Sequence, residues 1–387
     1  MWWPGTESNR RRQPFQGCAL PTELPGRNSA GTRSLYHSIM LRAHIAALFL
    51  PVLLSAANPL HTRNIVLVTA DGLRWQDLFH GIDPLLAREK SASMDPSNKD
   101  AEARRQRYAT REALAPFFWN TLAKNGLVLS NVNVTNAYRV SYPGYSEILT
   151  GRASDNVITG NIPVQQPNET VLEFLKRKLA LPSSRVALFS SWDHFHYIAE
   201  HIPGSISINA GYQDSPASPN LSRLQHVTPT PWDEARHDSF TFEMALDYLR
   251  SIKPRVIDIS FDETDDWAHA NRYDRVLDMI ATTDGFLNRL WTTLQSMPEY
   301  RNTTTLIVTS DHGRGSTLAD WSGHGRKVPG ADKIWIAIMG PDTPRSGEVS
   351  THAEQREIAP TIIKLMGLNP ADYQGATGSP IQAAFKP

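Results

Sequence analysis

The sequence predicts an α/β fold with three layers, in which helices cover both faces of a mostly parallel, buried central sheet. Several short segments are continuously apolar instead of alternating, as expected of strands that are buried on both faces. Segments with helical spacing lie between them, and this alternation favours parallel strands joined by crossover helices. A chain of 387 residues with 40% hydrophobic residues is long enough to form one large domain of this kind.

Five segments are predicted as buried strands because each is a run of mainly Val, Ile, Leu, Ala and Thr bounded by polar residues. In chain order they are 63–70, 185–190, 255–261, 303–309 and 333–339. Six segments have the apolar spacing that is typical of helices. They are 115–125, 142–150, 170–179, 240–252, 273–295 and 353–366.

Two segments interrupt this alternation and are predicted as surface insertions. Residues 81–113 are polar and highly charged, and residues 210–235 contain four prolines and several serines. We interpret the second insertion as a long loop near the site or as a small cap.

The N-terminal 57 residues do not have the pattern of a folded domain. Residues 1–39 lack a hydrophobic period, and we interpret them as an extension upstream of the true start of translation at Met40. Residues 40–57 combine a basic start, an apolar run and a small-residue end, as in a signal peptide. A buried N-terminal helix is the alternative. The run is too short to span a bilayer, so we expect a periplasmic or secreted domain of residues 58–387 without a stable membrane span.

Charge and cysteine content exclude several classes of protein. The 39 basic and 39 acidic residues balance, so the chain has no general attraction for nucleic acid or an anionic membrane. The single cysteine, Cys18, excludes a disulfide scaffold and a cysteine-based zinc site. Any metal site must therefore use His, Asp, Glu or hydroxyl groups.

Acidic and imidazole side chains follow three of the predicted strands, at the point where each strand ends. They are Asp71 after 63–70, Asp265 and His269 after 255–261, and Asp311 and His312 after 303–309. Because ligands bind beyond the carboxyl ends of parallel strands, we expect these side chains to converge. One such Asp is usually a helix cap, but three strand ends, two of them with His, favour a metal site. Carboxylates and imidazoles without thiolates suit zinc or manganese.

Two further positions complete the candidate site. His324 lies between Gly323 and Gly325, and the flanking glycines allow close approach of the backbone to a ligand. Ser141 is predicted at the N-cap of the helix over 142–150. It is either a capping serine or a nucleophile that the helix dipole and a metal ion activate.

Taken in order, these motifs resemble those of the alkaline phosphatase superfamily, most closely its type I phosphodiesterase/nucleotide pyrophosphatase and metalloenzyme branches. The motifs are Asp71-Gly72, Ser141-x-Pro143, Asp265-x-x-x-His269, Asp311-His312-Gly313 and His324. The resemblance runs from about residue 64 to residue 367. It implies an alkaline-phosphatase-like fold and two divalent metal ions, for which Zn²⁺ is the preferred assignment and Mn²⁺ the alternative.

The resemblance also implies a role for each residue. One metal ion would be held by Asp71, Ser141, Asp311 and His312, and the other by Asp265, His269 and His324. Ser141 would attack phosphorus and form a phosphoserine, and Asn161 would hold a phosphoryl oxygen through its amide. Two positions have open alternatives. Arg139 either contacts a phosphoryl oxygen or pairs with a surface carboxylate. The last histidine ligand is His324, with His352 as its substitute.

The sequence departs from two other branches of the superfamily. Sulfatases of this superfamily convert a Cys or Ser in a C/S-x-P-x-R motif to formylglycine, which is their nucleophile, and here Tyr145 stands at the position of the arginine. Mutases insert a large domain after the serine, whereas Ser141 and Asp265 are only 124 positions apart. We therefore expect a secreted, metal-dependent hydrolase of small phosphoric monoesters or diesters. The alternatives are a phosphotransferase or mutase, a sulfuric-ester hydrolase and a non-catalytic metal-binding relative. The leaving group and the oligomeric state stay open.

Overall fold

A computed structural model describes residues 60–88 and 99–386, so the predicted extension 1–39 and signal peptide 40–57 lie outside the described residues. The strands are β1 (Asn64–Ala70), β2 (Leu127–Asn133), β3 (Val186–Ser190), β4 (Ser207–Ala210), β5 (Val256–Phe261), β6 (Thr304–Thr309), β7 (Lys333–Met339) and β8 (Gly347–Glu354). They form one sheet in the order β4-β3-β5-β1-β6-β7-β2-β8. Strand β7 is antiparallel to both of its neighbours, and the other described pairs are parallel. The predicted α/β fold with a mostly parallel sheet is confirmed.

All five predicted strands are present as β1, β3, β5, β6 and β7, whereas β2, β4 and β8 were missed. Strand β4 has only four residues. Strand β8 lies at the sheet edge and has mostly exposed or half-buried side chains, so it has no apolar run. In β2, Ser130 and Asn131 interrupt the apolar pattern where the pairing register shifts.

The helices lie between the strands, except for the last helix, which follows β8. They are α1 (Trp75–His80), α2 (Lys99–Arg107), α3 (Arg111–Leu114), α4 (Ala123–Asn125), α5 (Ser141–Thr150), α6 (Val171–Lys178), α7 (Phe195–Ile198), α8 (Pro219–Gln225), α9 (Asp238–Ile252), α10 (Glu263–His269), α11 (Tyr273–Ser296) and α12 (Ile358–Leu365). Two predictions need correction. The segment 115–125 divides into a π-helical turn, Phe118–Leu122, and α4, and the segment 353–366 begins in β8 and becomes α-helical only at Ile358.

Successive residues of β1 pack into two hydrophobic cores on opposite faces of the sheet. Val66 and Val68 belong to the core that includes side chains of α9 and α11. Ile65 and Leu67 belong to the core that includes side chains of α5, α6 and α12. Burial on both faces explains why this strand is apolar at successive positions instead of alternating.

The two predicted insertions contain regular structure. In the described part of 81–113, Leu86 and Tyr108 are buried in the hydrophobic core that includes side chains of α9 and α11. The Tyr108 hydroxyl and the Arg104 guanidinium donate to Asp278 on α11, both at 3.0 Å. The segment 210–235 contains α8. Within residues 60–88 and 99–386, no helix is long and apolar enough to cross a membrane.

The sheet order brings the ends of β5, β1 and β6 side by side. Thr69 of β1 pairs with Ser260 of β5 on one side and Thr309 of β6 on the other. The segments that leave these strands therefore begin at the same edge of the sheet.

Candidate active site

The three segments that leave the central strands carry most of the predicted site residues. Asp71 directly follows β1, Asp311 and His312 follow β6, and α10 begins two residues after β5. Asp71, Asp311 and His312 are at most 1% exposed. Such buried acidic and imidazole groups require partners, and they find them in one another.

Asp71, Asp311, His312 and Ser141 form one compact group. His312 Nε2 lies 3.4 Å from Asp71 Oδ1 and 3.5 Å from Asp311 Oδ2. Ser141 Oγ lies 3.4 Å from both Asp71 Oδ1 and His312 Nε2. Asp311 Oδ1 accepts from the Gly72 N–H at 3.0 Å, while the buried Oδ2 has no hydrogen-bond partner. An unpaired carboxylate oxygen beside a second carboxylate and an imidazole is the donor set that a divalent cation satisfies.

Asp265, His269 and His324 form an adjacent group. Asp265 and His269 are four residues apart on α10, with Oδ2 and Nε2 at 2.9 Å. His324 Nε2 lies 3.0 Å from His269 Nε2 and 3.9 Å from Asp265 Oδ1. The His324 ring stacks on His312 with a centroid distance of 4.0 Å, and His312 Nε2 is 3.8 Å from Asp265 Oδ1. His312 thus lies between the two groups, and the residues present fit two neighbouring ions.

Protonation in the site favours metal ligation. With a proton on Nδ1, His312 donates to the Gly313 carbonyl at 3.1 Å and His324 donates to the Arg139 carbonyl at 3.2 Å. The Nε2 lone pair of each ring then faces the carboxylates. A ring whose other nitrogen donates to a backbone carbonyl is the arrangement found in most metal-binding histidines. Burial lowers the pKa of both imidazoles, so they stay neutral. Burial, reinforced by the charge of Asp311, raises the pKa of Asp71. A bound cation would stabilise the ionised carboxylate and offset this shift.

Ser141 is the first residue of α5, and the N-cap is Val140, so the predicted N-cap position of Ser141 is wrong by one residue. No side chain of the N-cap residue caps the helix. Instead Asn161 Oδ1 accepts from the Tyr142 N–H at 2.8 Å. The interpretation of Ser141 as a capping serine therefore loses its basis, because Asn161 supplies the oxygen that a capping side chain would supply.

Arg139 and His352, the two positions with open alternatives, lie apart from this group. Arg139 Nη1 lies 3.7 Å from Asp332 Oδ1, and its contact with the site is the backbone carbonyl that orients His324. His352 is exposed on the edge strand β8, paired in register with Asn131. Of the two candidate histidines, His324 is the one that lies beside His269.

A buried arginine that the sequence analysis missed lies beneath the site. Arg314 donates to the Gly72 carbonyl at 3.0 Å and contacts Asp265 and the Ser322 carbonyl. Burial lowers the pKa of Arg314 to about 10, which leaves it a cation near neutral pH. Its position two residues after His312 was the only available signal, because no sequence pattern showed that it turns inward.

A cavity of about 410 Å³ opens beside the nucleophile candidate. Ser141, Asn161 and His269 line one part of it, and Trp192 and residues 232–235 line another. Residues 232–235 belong to the segment interpreted as a long loop near the site or a small cap, but no residue of the second set was singled out from the sequence, because an isolated tryptophan is more often a core residue than a pocket residue. We call the part formed by Trp192 and residues 232–235 the wall of the cavity. Next to this wall, Asp193, His194 and Glu234 form a third group of metal-ligand type, which is mostly exposed.

A family model described as Sulfatase matches residues 63–368. The chain belongs to the sulfatase family. Its fold is similar to that of the alkaline phosphatase PafA, with 11% identity, a TM-score of 0.57 and coverage of 85% of this chain and 100% of that one. It is also similar to the phosphonate monoester hydrolase of Agrobacterium radiobacter, with 15% identity, a TM-score of 0.54 and coverage of 84% and 78%. The predicted membership of the alkaline phosphatase superfamily is confirmed.

One curated relative is a 2,3-bisphosphoglycerate-independent phosphoglycerate mutase from Gracilaria tenuistipitata var. liui, 24% identical over 127 residues. The match covers 33% of this chain and 24% of the mutase, so the chain spans about a quarter of that relative. The relatives named here are thus an alkaline phosphatase, a phosphonate monoester hydrolase and a phosphoglycerate mutase.

Removal of metal should destabilise the protein, because it leaves the buried Asp71 and Asp311 carboxylates to repel each other. A ligand that binds only the native state contributes several kcal/mol at saturation, so we expect dialysis against a chelator to lower Tm by about 5 °C or more. Differential scanning calorimetry measures the change, and re-addition of Zn²⁺ or Mn²⁺ should restore Tm. An unchanged Tm would contradict a metal site at these residues.

Glu147 on α5 fixes the loop that leads to Ser141. Its buried carboxylate accepts from the N–H groups of Thr135 and Asn136 at 3.0 and 2.8 Å, and from both of their side chains. We expect Glu147→Ala to lower the free energy of unfolding by about 3 kcal/mol, because it leaves several buried donors unpaired. Urea denaturation measures the loss, and Glu112→Ala, which removes an exposed carboxylate, should change it by less than about 0.5 kcal/mol. Equal stability of the two variants would show that the loop is held by other contacts.

Proposed function

We propose that the protein is a metal-dependent hydrolase of phosphoric esters in which Ser141 is the nucleophile. The observation that carries the proposal is the position of Ser141 Oγ, 3.4 Å from both Asp71 Oδ1 and His312 Nε2. The hydroxyl is at the start of α5, where the positive end of the helix dipole favours developing negative charge. Asn161 supplies the helix-capping oxygen, so the hydroxyl is free for chemistry.

The two groups of ligands suit two divalent cations, Zn²⁺ or Mn²⁺. Asp71, Ser141, Asp311 and His312 would hold one ion, and Asp265, His269 and His324 would hold the other. When bound, the ions supply Lewis-acid charge that favours ionised oxygen nucleophiles and leaving groups near neutral pH. Arg314 fixes the Asp265 carboxylate, and the Arg139 carbonyl fixes the His324 ring.

The reaction proceeds in two displacements at phosphorus. Ser141 Oγ loses its proton to solvent and forms a bond to phosphorus as the bond to the leaving oxygen breaks, and that oxygen is released as the alcohol after protonation. Water then attacks the phosphoserine, the bond from Ser141 Oγ to phosphorus breaks, and the serine hydroxyl is restored. Asn161, which lines the same cavity, is the candidate for contact with a phosphoryl oxygen.

The fifth position of the serine motif favours phosphate over sulfate. The buried Tyr145 side chain stands where the sulfatase motif has arginine, and its hydroxyl partly offsets the burial that raises the pKa of the Asp71 carboxyl. A site that keeps serine as the nucleophile needs no formylglycine. Purified protein with Zn²⁺ or Mn²⁺ should therefore hydrolyse an aryl phosphate monoester or diester faster than the matching aryl sulfate. Faster turnover of the sulfate would contradict the proposal.

The partial similarity to a phosphoglycerate mutase favours phosphotransfer as the second candidate. An alcohol would then take the place of water in the second displacement. Transfer of labelled phosphate to an added alcohol faster than to water would support this candidate. Release of inorganic phosphate alone would support the hydrolase.

We also propose that the protein is exported and that the signal peptide is removed after Ala57. The proposal rests on the basic, apolar and small-residue order of residues 40–57. N-terminal sequencing of the native protein should begin near residue 58. A mature N-terminus before Met40 would contradict both the export and the proposed start of translation.

A further inference from the structure

The cavity beside Ser141 combines aromatic and acidic side chains. Trp192 and Trp232 line it together with five carboxylates. The five are Asp233, Glu234, Asp262, Asp265 and Asp266. Among the lining residues, which all belong to the described part of the chain, none is Lys or Arg. A substrate with a second anionic group would therefore find no cationic partner on this wall.

Only one of these carboxylates is assigned to a metal ion, namely Asp265. Asp233 and Glu234 are exposed and line the cavity on the loop that carries Trp232. Neither is assigned to a metal ion, so these two carboxylates keep negative charge on the wall, and this charge disfavours leaving groups that carry a carboxylate or a further phosphate.

The aromatic side chains are fixed in place. Trp232 is half-buried and packs edge-on against Trp267 with a centroid distance of 4.9 Å. Trp192 is 8% exposed, stacks on His194 at 4.4 Å, and directs its indole N–H at Glu234 Oε2 at 3.4 Å. Fixed indole rings beside carboxylates suit quaternary alkylammonium groups. Such a cation is only weakly hydrated, and both the face of the ring and the carboxylate attract it.

We propose that the leaving group of the substrate is an alcohol with a quaternary alkylammonium group, of the choline type. The proposal rests on the hydrolase function proposed above and adds the class of substrate. Trp232 contacts the cation, and Glu234, oriented by Trp192, balances its charge. The phosphate lies at Ser141, at the other part of the cavity.

The test compares two substrates of the same shape and different charge. One is choline phosphate, and the other is its neutral analogue in which a carbon atom replaces the nitrogen. We expect kcat/KM to be at least about tenfold higher for choline phosphate, the range that a desolvated cation–π contact supplies. Glycerophosphocholine, run in parallel, shows whether the alkylammonium alcohol is taken from a monoester or from a diester.

Two variants assign the preference to the wall. Trp232→Ala and Glu234→Gln should each reduce the ratio of the two kcat/KM values severalfold, with a smaller effect on the neutral analogue. Asp214→Asn is the matched control, because it removes an exposed carboxylate of the same segment that pairs with His226 outside the cavity. This control should leave the ratio unchanged.

The outcomes separate the two proposals. If aryl phosphates are hydrolysed and the two matched substrates react equally well, the alkylammonium proposal is overturned and the hydrolase stands. If no phosphoric ester is hydrolysed, the hydrolase itself fails. Loss of about one equivalent of bound metal in Glu234→Gln would assign Asp193, His194 and Glu234 to a further metal ion and would also overturn the alkylammonium proposal.

Discussion

Ser141→Ala should fold normally and lose turnover by a factor on the order of 10⁴, the scale observed when catalytic serines are removed. The hydroxyl lies between Asp71 and His312, and no other described hydroxyl is hydrogen-bonded to both. A capping role would predict a different result, namely a loss of about 1 kcal/mol of stability with turnover nearly intact. Steady-state kinetics and urea denaturation of the same preparation distinguish the two.

Ser146→Ala is the matched control for this variant. Ser146 lies on the same helix and is also buried, but its hydroxyl contacts Gln166 instead of the candidate ligands. We expect it to keep turnover within severalfold of the unmodified protein. Turnover that survives in Ser141→Ala, or that falls equally in both variants, would return Ser141 to a structural role.

His324→Ala should reduce bound metal from about two equivalents to about one and lower turnover by at least about a hundredfold. His324 Nε2 lies 3.0 Å from His269 Nε2, and its ring stacks on His312, so its loss opens the second group of ligands. Loss of one ligand from a three-residue set weakens binding of the ion and the charge that it provides to the reaction. Elemental analysis after gel filtration gives the stoichiometry.

His352→Ala is the corresponding control, because His352 was the alternative ligand and is exposed on β8. It should keep both equivalents of metal and full turnover. If His352→Ala lost one metal ion while His324→Ala kept both, the assignment of the second group would be wrong.

The sequence predicted the central part of the fold because of how β1 is buried. Ile65 and Leu67 face one core while Val66 and Val68 face the other, so these four successive positions had to be apolar. The edge strand β8 carries no such pattern, since its side chains are mostly exposed or half-buried, and its pairing depends on backbone hydrogen bonds that any sequence can form.

The same division holds for the site. Asp71 and Asp311 could be found because each lies within two residues of the end of a buried strand, and the two strands are neighbours in the sheet. Trp232 and Glu234 could not, because a loop without periodicity carries them into the cavity. Asn161 lies twenty residues after Ser141, and its side-chain oxygen caps α5 by accepting from the Tyr142 N–H. No local sequence pattern predicts such a contact.

The stereochemical course at phosphorus tests the central claim most directly. A chiral phosphorothioate diester is hydrolysed in isotopically labelled water, and the configuration of the product is determined. Two successive displacements, first by Ser141 and then by water, each invert phosphorus, so the product should retain the configuration of the substrate. Net inversion would mean that water attacks phosphorus directly, and it would contradict a phosphoserine on Ser141.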